Sequence, residues 1–469
     1  MKPIGHIATG SIIQQILSII IFIILTRHLG AEGYGMVAAA LALATSIYNF
    51  SNVWMAPYMI RAGAKQVFHY NKLGDVYVTT GVISFILMVL GLIIVILLES
   101  FKIINLNIYA DLPLLMMLLS GLFFLNLFRI GLQSTQSFRG YGYSLWMDKI
   151  FYLAAIIILF FYWQLESKSA LYGNAVAMLL IGILGLLYFA KTHISLKIKS
   201  FCWREFFKTT SPVLLATIAL YFSSPPFVIL LAGNLSGLEQ AGFVSVAFVL
   251  FGFFLQPIQW ITPTLLPKFT IAIESGNEEI LQEKIDKVVF PFIIFYSIAV
   301  VAFIMITLST PLIPYMIGED FRQGIPVIVV IIGTVVAEVF HLLVISMLYA
   351  RHQETLILIA TVARSLSFLL IAIFSADSQL LIIGFLVSSW IFVAVEIWAL
   401  RDLVSWKIRF TILILFGLFI TLSFLIFMTA NQTVLSACAF ILLILGIMAF
   451  EHRVLFWNYA RKAVGQPAI

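Results

Sequence analysis

The stretch GAEGYGMVAAAL at residues 30–41 recurs as GLEQAGFVSVAF at residues 237–248. The repeated unit holds six apolar segments, an even number, so both halves of the chain are expected to enter a membrane in the same sense. The repeat therefore predicts two six-helix lobes, 1–208 and 209–408, followed by two helices and a tail at 409–469. The matching positions pair Gly30 with Gly237, Glu32 with Glu239, Gly35 with Gly242 and, at the end of the next helix, Arg61 with Lys268.

The composition of the chain places it in a lipid bilayer. Of its 469 residues, 62% are hydrophobic and only 10% are charged, and the mean hydropathy is +1.10. A helix needs about 20 apolar residues to cross the hydrocarbon core, and runs of that length recur along nearly the whole sequence. They predict an all-α integral membrane protein with about 14 transmembrane helices. The predicted spans are 8–26, 36–60, 76–98, 112–133, 150–165, 171–190, 212–232, 241–263, 288–311, 325–349, 356–374, 380–400, 410–428 and 434–450.

Glycine, proline and polar residues mark three local features of this pattern. The cluster Gly30, Gly33 and Gly35 favours a tight turn between the first two helices, because a phosphate-binding loop would need a preceding strand. The separator ESKSA at 166–170 divides the fifth and sixth helices, although a single long re-entrant segment is an open alternative. The two prolines at 225–226 lie inside the seventh helix and predict a bend.

The distribution of lysine and arginine predicts that both termini are cytoplasmic. In that orientation most of the 27 basic residues fall in cytoplasmic loops. The net charge of +6 is spread over short loops, as membrane insertion alone requires, so no nucleic-acid partner is expected. Cys202 and Cys438 offer neither a disulfide framework nor a metal site, and no cofactor is expected. The opposite side of the membrane would hold Arg27, Lys102, Lys168 and Arg322.

Two segments, TRHLGAEGYG at 26–35 and PYMIGEDFRQGIPV at 314–327, carry a resemblance to a known family. They are similar to the R-x-L-G…E-x-Y-G pattern and to the loop before helix ten in polysaccharide flippases of the multidrug/oligosaccharidyl-lipid/polysaccharide exporter superfamily. The resemblance implies two V-shaped lobes around a central cavity that opens alternately to each side. It also implies a cargo of oligosaccharide repeat units on undecaprenyl diphosphate, as in O-antigen and lipopolysaccharide synthesis, flipped to the outer leaflet of the cell inner membrane.

The implied function agrees with the physics of the cargo, because sugars and a diphosphate cannot cross hydrocarbon unaided. Such an exporter would bind lipid-linked oligosaccharide and membrane lipids. Its protein partners would be a polysaccharide polymerase and a chain-length protein. One alternative is a drug or cation antiporter of the same superfamily. Another is a membrane-embedded oligosaccharide polymerase, but the longest loops on the outer side have about a dozen residues and carry no HExxH or GxSxG motif. We therefore expect a transporter and not an enzyme.

Charged residues inside or at the ends of the spans are the candidate site residues, since a charge at the bilayer centre costs about 2.5–3.5 kcal/mol. Arg61 and Lys268 end equivalent helices of the repeat, where they would either collect a diphosphate or anchor the helices at the cytoplasmic surface. Arg129 and Glu396 lie near helix ends, where lining a cavity and snorkelling are both open. The candidate substrate-binding residues are Arg61, Arg129, Lys268 and Arg364, and the candidate ion-coupling residues are Glu338, His341 and Glu396.

Glu338, His341 and Arg364 are predicted to meet in the second lobe. Counted from the turn RHQET at 351–355, their depths along the tenth and eleventh helices match to within about one turn. Glu338 and His341 are three residues apart and share a helix face, which makes Arg364 the expected counter-ion of Glu338. One interpretation is a static ion pair that locks the two helices. The other is competition, in which a diphosphate takes Arg364, Glu338 binds a proton, and transport is coupled to a proton gradient.

Overall fold

The computed structural model describes most of the chain up to residue 399 and a few positions beyond it. The described backbone comprises 2–101, 111–162, 165–195, 197–199, 201–274, 290–351, 353–399, 414–415, 417–419, 422, 438 and 441. Within it, the side chains of 2–4, 259–274, 290–292, 346, 349–350 and 354 are outside the description. The last two predicted spans, 410–428 and 434–450, therefore lie almost entirely outside the described residues.

The described residues form two compact units, Met1–Gly242 and Phe243–Ile469. The predicted lobes, divided at 208/209, follow the sequence repeat, whereas this division follows contacts in space, so the lobes stay a prediction. Apart from one isolated bridge between Leu73 and Ile194, the described residues form helices, turns and irregular segments. The all-α prediction is confirmed.

The first unit is built from eight helices and the start of a ninth. Its long, apolar helices expose large side chains such as Ile94 and Leu187 over their outer faces, as expected of surfaces that contact lipid. The helices are α1 (Lys2–Asn52), α2 (Ala56–Tyr70), α3 (Asp75–Ser100), α4 (Leu112–Ser134), α5 (Phe138–Tyr162), α6 (Ser167–His193), α7 (Trp203–Tyr221), α8 (Pro225–Ser236) and α9 (Leu238–Glu274).

The repeated glycine motif explains two features of the first unit. Within α1, Gly30 has φ 65° and ψ −173°, a conformation open essentially to glycine alone, and two helices meet there across a kink. The predicted turn between the first two spans is thus confirmed. Further along, a Cβ on Gly35 would collide with the backbone of Leu238, and a Cβ on Gly242 with the backbone of Ala31. The two copies of the motif therefore pack backbone to backbone, which requires glycine at both positions.

Loop contacts in the first unit alternate between its two ends, as a chain that crosses a membrane repeatedly should. At one end, the Leu73–Ile194 bridge and a hydrogen bond from the Phe201 amide to Asp75 join the connection after α2 to the connection after α6. At the other end, the Ser167 hydroxyl donates to the Gly33 carbonyl and joins the kink in α1 to the start of α6. Both connections agree with six membrane crossings per repeat.

Two expectations about helix breaks are also settled in the first unit. The helix α5 ends at Tyr162 and α6 begins at Ser167, where Glu166 and Ser169 form a capping box. The fifth and sixth spans are thus separate helices, and the re-entrant alternative is wrong. The predicted bend of the seventh span is confirmed, because α7 ends at Tyr221 and α8 begins at Pro225.

In the part of the second unit that the structure describes, α9 continues and six further helices follow. The predicted tenth span is divided at Thr334, whose hydroxyl donates to the Ile331 carbonyl at 2.6 Å. Buried apolar side chains of Val327–Ile332 fill the centre of this unit. The added helices are α10 (Phe290–Ser309), α11 (Leu312–Ile317), α12 (Ile325–Gly333), α13 (Val335–Ala350), α14 (Glu354–Phe374) and α15 (Ser378–Ala399).

Ten helical stretches among the described residues are long and apolar enough to cross a membrane, and Ile293–Ser309 is a shorter apolar helix. The first stretch, Gly5–Tyr70, contains two of the predicted spans. Together these helices account for the first twelve predicted spans. The predicted start of the fifth span at 150 is wrong, because α5 begins at Phe138.

Candidate functional site

The second unit holds four polar side chains that face one another inside an apolar surrounding. Glu338 and His341 lie on α13, Arg364 on α14 and Glu396 on α15. We call these four residues the buried charged cluster. The three helices pack against one another, so each contributes a charge to a common centre. Glu338 lies one turn after Thr334, and its amide donates to the Thr334 carbonyl at 3.2 Å.

The cluster consists of two pairs. The Glu338 carboxylate forms an ion pair with the Arg364 guanidinium, so the predicted pairing is confirmed. His341 Nδ1 lies 2.7 Å from Glu396 Oε1, a hydrogen-bonding distance. The side chain of Glu396 is 0% exposed. A snorkelling role for Glu396 is thus wrong, since the carboxylate is held inside the unit.

Aromatic rings wall the cluster and connect its two pairs. The Arg364 Cζ lies 5.3 Å from the ring centroid of Phe392 and 5.5 Å from that of Phe385. The His341 ring lies 4.3 Å from the same Phe392 ring. Arg364 is therefore held by cation–π contacts as well as by Glu338, and Phe392 touches both pairs. Glu338 and His341 are 12% and 15% exposed, whereas Arg364 is 6% and Glu396 0% exposed.

The charges of the cluster balance only when it holds a proton. Two carboxylates and one guanidinium leave one negative charge, and a protonated His341 brings the sum to zero. A net charge inside a membrane-spanning unit costs several kcal/mol, so the balanced form is favoured. Among the described residues no hydrogen-bond donor reaches Glu396 Oε2. The His341–Glu396 pair therefore joins an imidazole to a fully buried carboxylate.

A second buried ion pair lies in the first unit. The Arg129 guanidinium on α4 is 2.9 Å from Asp148 Oδ1 on α5 and donates to the Ser144 carbonyl at 2.6 Å. Lys149 also contacts Asp148, at 3.2 Å. Arg129 is therefore held by an internal partner and does not snorkel. Asp148 precedes the predicted start of the fifth helix at 150 and was therefore not among the predicted site residues.

Two candidate substrate-binding residues remain, Arg61 and Lys268. Arg61 lies on α2 with an exposed side chain. Lys268 lies in the backbone of α9, but its side chain is outside the description. Their predicted equivalence therefore stays a sequence prediction. No group of His, Cys, Asp and Glu side chains in the described part of the chain is arranged to hold a metal ion.

Comparisons with known proteins agree with this geometry. Residues 1–272 match the family described as polysaccharide biosynthesis protein. The lipid II flippase MurJ in its inward closed conformation aligns over 96% of this chain and 99% of its own, with a TM-score of 0.66 at 14% identity. An inward-facing multidrug resistance MATE family transporter of the MOP superfamily aligns over 86% and 95%, with a TM-score of 0.60 at 17% identity.

A MOP superfamily transporter from Pyrococcus furiosus aligns over 88% of this chain and 96% of its own, with a TM-score of 0.54 at 17% identity. At these identities the likeness is one of fold. No curated protein matches the sequence. The chain therefore has the fold of MOP superfamily transporters.

Proposed function

The chain belongs to the polysaccharide biosynthesis protein family, and we propose that it is a flippase for lipid-linked oligosaccharides. The cargo would be repeat units on undecaprenyl diphosphate, carried from the cytoplasmic to the outer leaflet of a bacterial inner membrane by alternating access. The observation that carries the transport role is the Glu338–Arg364 pair, held between aromatic rings inside membrane-spanning helices. A purely structural helix bundle gains little from such a pair, because apolar packing of similar volume is as stable or more stable.

Arg364 is the group suited to the diphosphate. A guanidinium can donate two parallel hydrogen bonds to phosphate oxygens, as it does to a carboxylate. A diphosphate that reaches Arg364 would compete with Glu338 for the same donors. In the proposed cycle the cargo displaces Glu338 from Arg364.

The displaced carboxylate supplies the coupling step. An unpaired charge inside the unit is costly, so Glu338 takes up a proton when Arg364 is occupied by the cargo. His341 lies one helical turn away on the same face and shares a proton with Glu396. Release of the cargo restores the ion pair and expels a proton. The proton leaves on the same side as the cargo, so flipping is coupled to the proton gradient, with Glu338, His341 and Glu396 as the ion-coupling residues.

The other basic candidates act outside the cluster in this proposal. Arg61 and Lys268 would collect the diphosphate at the cytoplasmic mouth of each lobe, or else anchor the helices there. Arg129 would bind cargo only after it leaves Asp148. O-antigen repeat units are the proposed cargo class, and a polymerase and a chain-length protein the proposed partners that use the exported units.

Deletion of the gene tests the proposed function. Loss of a flippase is expected to leave complete, unpolymerised repeat units on the cytoplasmic leaflet, whereas loss of a polymerase leaves them on the outer leaflet. The likeness in fold to MATE transporters supports an antiporter as the second candidate. In that case lipid-linked sugars would not accumulate on the cytoplasmic leaflet, and efflux of a cationic dye would fall. Unchanged lipid-linked sugars in the deletion strain would refute the flippase proposal.

A further inference from the structure

The first unit contains a side cavity, whereas the buried charged cluster belongs to the second unit. The cavity has a volume of about 390 Å³ and lies between α1 and α5, which pack against each other. Its walls are apolar, with Ile24 on α1 and Ile157 and Phe160 on α5. Arg27 and His28 line the same cavity at its polar end, just before the kink at Gly30. The cavity thus combines an apolar groove with two basic side chains.

The surroundings of the cavity place it at a membrane boundary. Ile157 and Phe160 are 44% and 48% exposed, as side chains are that face lipid. Arg27 and His28 are exposed. They lie at the C-terminal end of the segment of α1 that precedes the kink at Gly30. The His28 ring packs edge-on against Phe160 at 5.2 Å, so the imidazole is held directly above the apolar wall. In the predicted orientation this is the outer boundary of the membrane.

We propose that this cavity binds an anionic phospholipid of the phosphatidylglycerol class. One acyl chain would lie against Ile157 and Phe160, and the phosphodiester would contact Arg27 and His28. Arg27 is always charged, and a guanidinium matches phosphate oxygens in geometry. Basic pockets between membrane helices bind anionic head groups in this way.

Binding should be measured on the full chain in lipid nanodiscs or detergent, with phosphatidylglycerol and phosphatidylcholine as probes in native mass spectrometry. The wild-type protein is expected to prefer phosphatidylglycerol. Arg27→Gln should lower that preference about 5-fold, the usual effect of one basic residue near an anionic lipid. Ile157→Trp, which fills the apolar groove without altering charge, should lower occupancy by both lipids.

Two control variants separate the proposed site from general effects. Arg322→Gln removes a basic residue that pairs with Glu319 outside the cavity, and it should leave the preference unchanged. Arg27→Lys keeps the charge and should retain most of the preference, which guards against a loss of fold in the glutamine variant. Equal binding of the two lipids by the wild-type chain, a preference unaffected by Arg27→Gln, or occupancy unaffected by Ile157→Trp would overturn the proposal.

Undecaprenyl diphosphate serves as a third probe. If it displaces phosphatidylglycerol from wild-type protein at equal concentration but not from Arg27→Gln, the cavity is a site for the carrier and the phospholipid assignment is wrong. The proposed flippase activity is independent of this result, because the deletion experiment measures it in cells.

Discussion

The buried charged cluster allows the two roles of the Glu338–Arg364 pair to be separated by a double-mutant cycle. Glu338→Gln leaves a guanidinium in a site where its side chain is 6% exposed, and Arg364→Gln leaves a carboxylate that is 12% exposed. Removal of one partner from a buried pair costs about 3–5 kcal/mol, so each single variant should lose about 3 kcal/mol of unfolding free energy. The double variant has no unpaired charge at this position and should recover to within about 1 kcal/mol of wild type.

Stability and transport should then diverge in the double variant. If the pair only locks α13 to α14, the recovered stability restores transport. If Arg364 binds the diphosphate and Glu338 carries the proton, transport stays at background while the protein is stably folded. Unfolding can be followed by helical circular dichroism during titration with SDS in mixed micelles, and transport by export of repeat units in the deletion strain.

The exposed pair Arg322 and Glu319 provides the matched control for this cycle. Its nitrogen and oxygen atoms are 2.9 Å apart, but the side chains are 63% and 70% exposed. Such pairs contribute about 0–1 kcal/mol, and the same glutamine substitutions there should change neither stability nor export appreciably. Wild-type export by the stable double variant Glu338→Gln/Arg364→Gln would refute both the binding and the coupling roles.

Three further substitutions test the packing of the first unit. Gly35→Ala should destabilise the protein by about 1–3 kcal/mol because its Cβ meets the backbone of Leu238, whereas Gly252→Ala, which meets no atom within 4 Å, should be neutral in the same SDS titration. Gly30→Ala should cost about 1–3 kcal/mol because alanine is strained at φ 65°, and equal stability of wild type and variant would contradict the kink. Asp148→Asn should cost about 1–3 kcal/mol because the 17% exposed Arg129 loses its carboxylate, and the added change Arg129→Gln should restore part of that loss.

Sequence patterns predicted the fold well because the bilayer imposes simple rules. Long apolar runs must be helices, and the repeat of the glycine motif fixed the number of crossings per half. The sequence did not show why the motif contains glycine. Gly35 and Gly242 each pack against the other copy of the motif, and the two copies are far apart in the chain. The start of α5 was missed because polar residues such as Arg139 and Asp148 interrupt its apolar run, although the helix continues through them.

The buried charged cluster was predictable only in part. Glu338 and Arg364 lie on consecutive helices joined by a short turn, so depth and helix face were enough to pair them. His341 and Glu396 are 55 positions apart on helices that are not consecutive. Their contact depends on how α13 packs against α15, which periodicity does not specify. The contacts of Phe385 and Phe392 with Arg364 also depend on helix packing. The sequence contains 42 phenylalanines, and no pattern distinguishes these two from the rest.

The most direct test of the central claim is reconstitution of the full chain in sealed vesicles with a fluorescent oligosaccharide on undecaprenyl diphosphate. A membrane-impermeant quencher reports how much of the lipid-linked sugar has crossed from the inner to the outer leaflet. The flippase account predicts crossing that requires the wild-type protein, rises with an imposed proton gradient and is absent with Arg364→Gln. Crossing no faster than in protein-free vesicles, with folded wild-type protein and a gradient present, would contradict it.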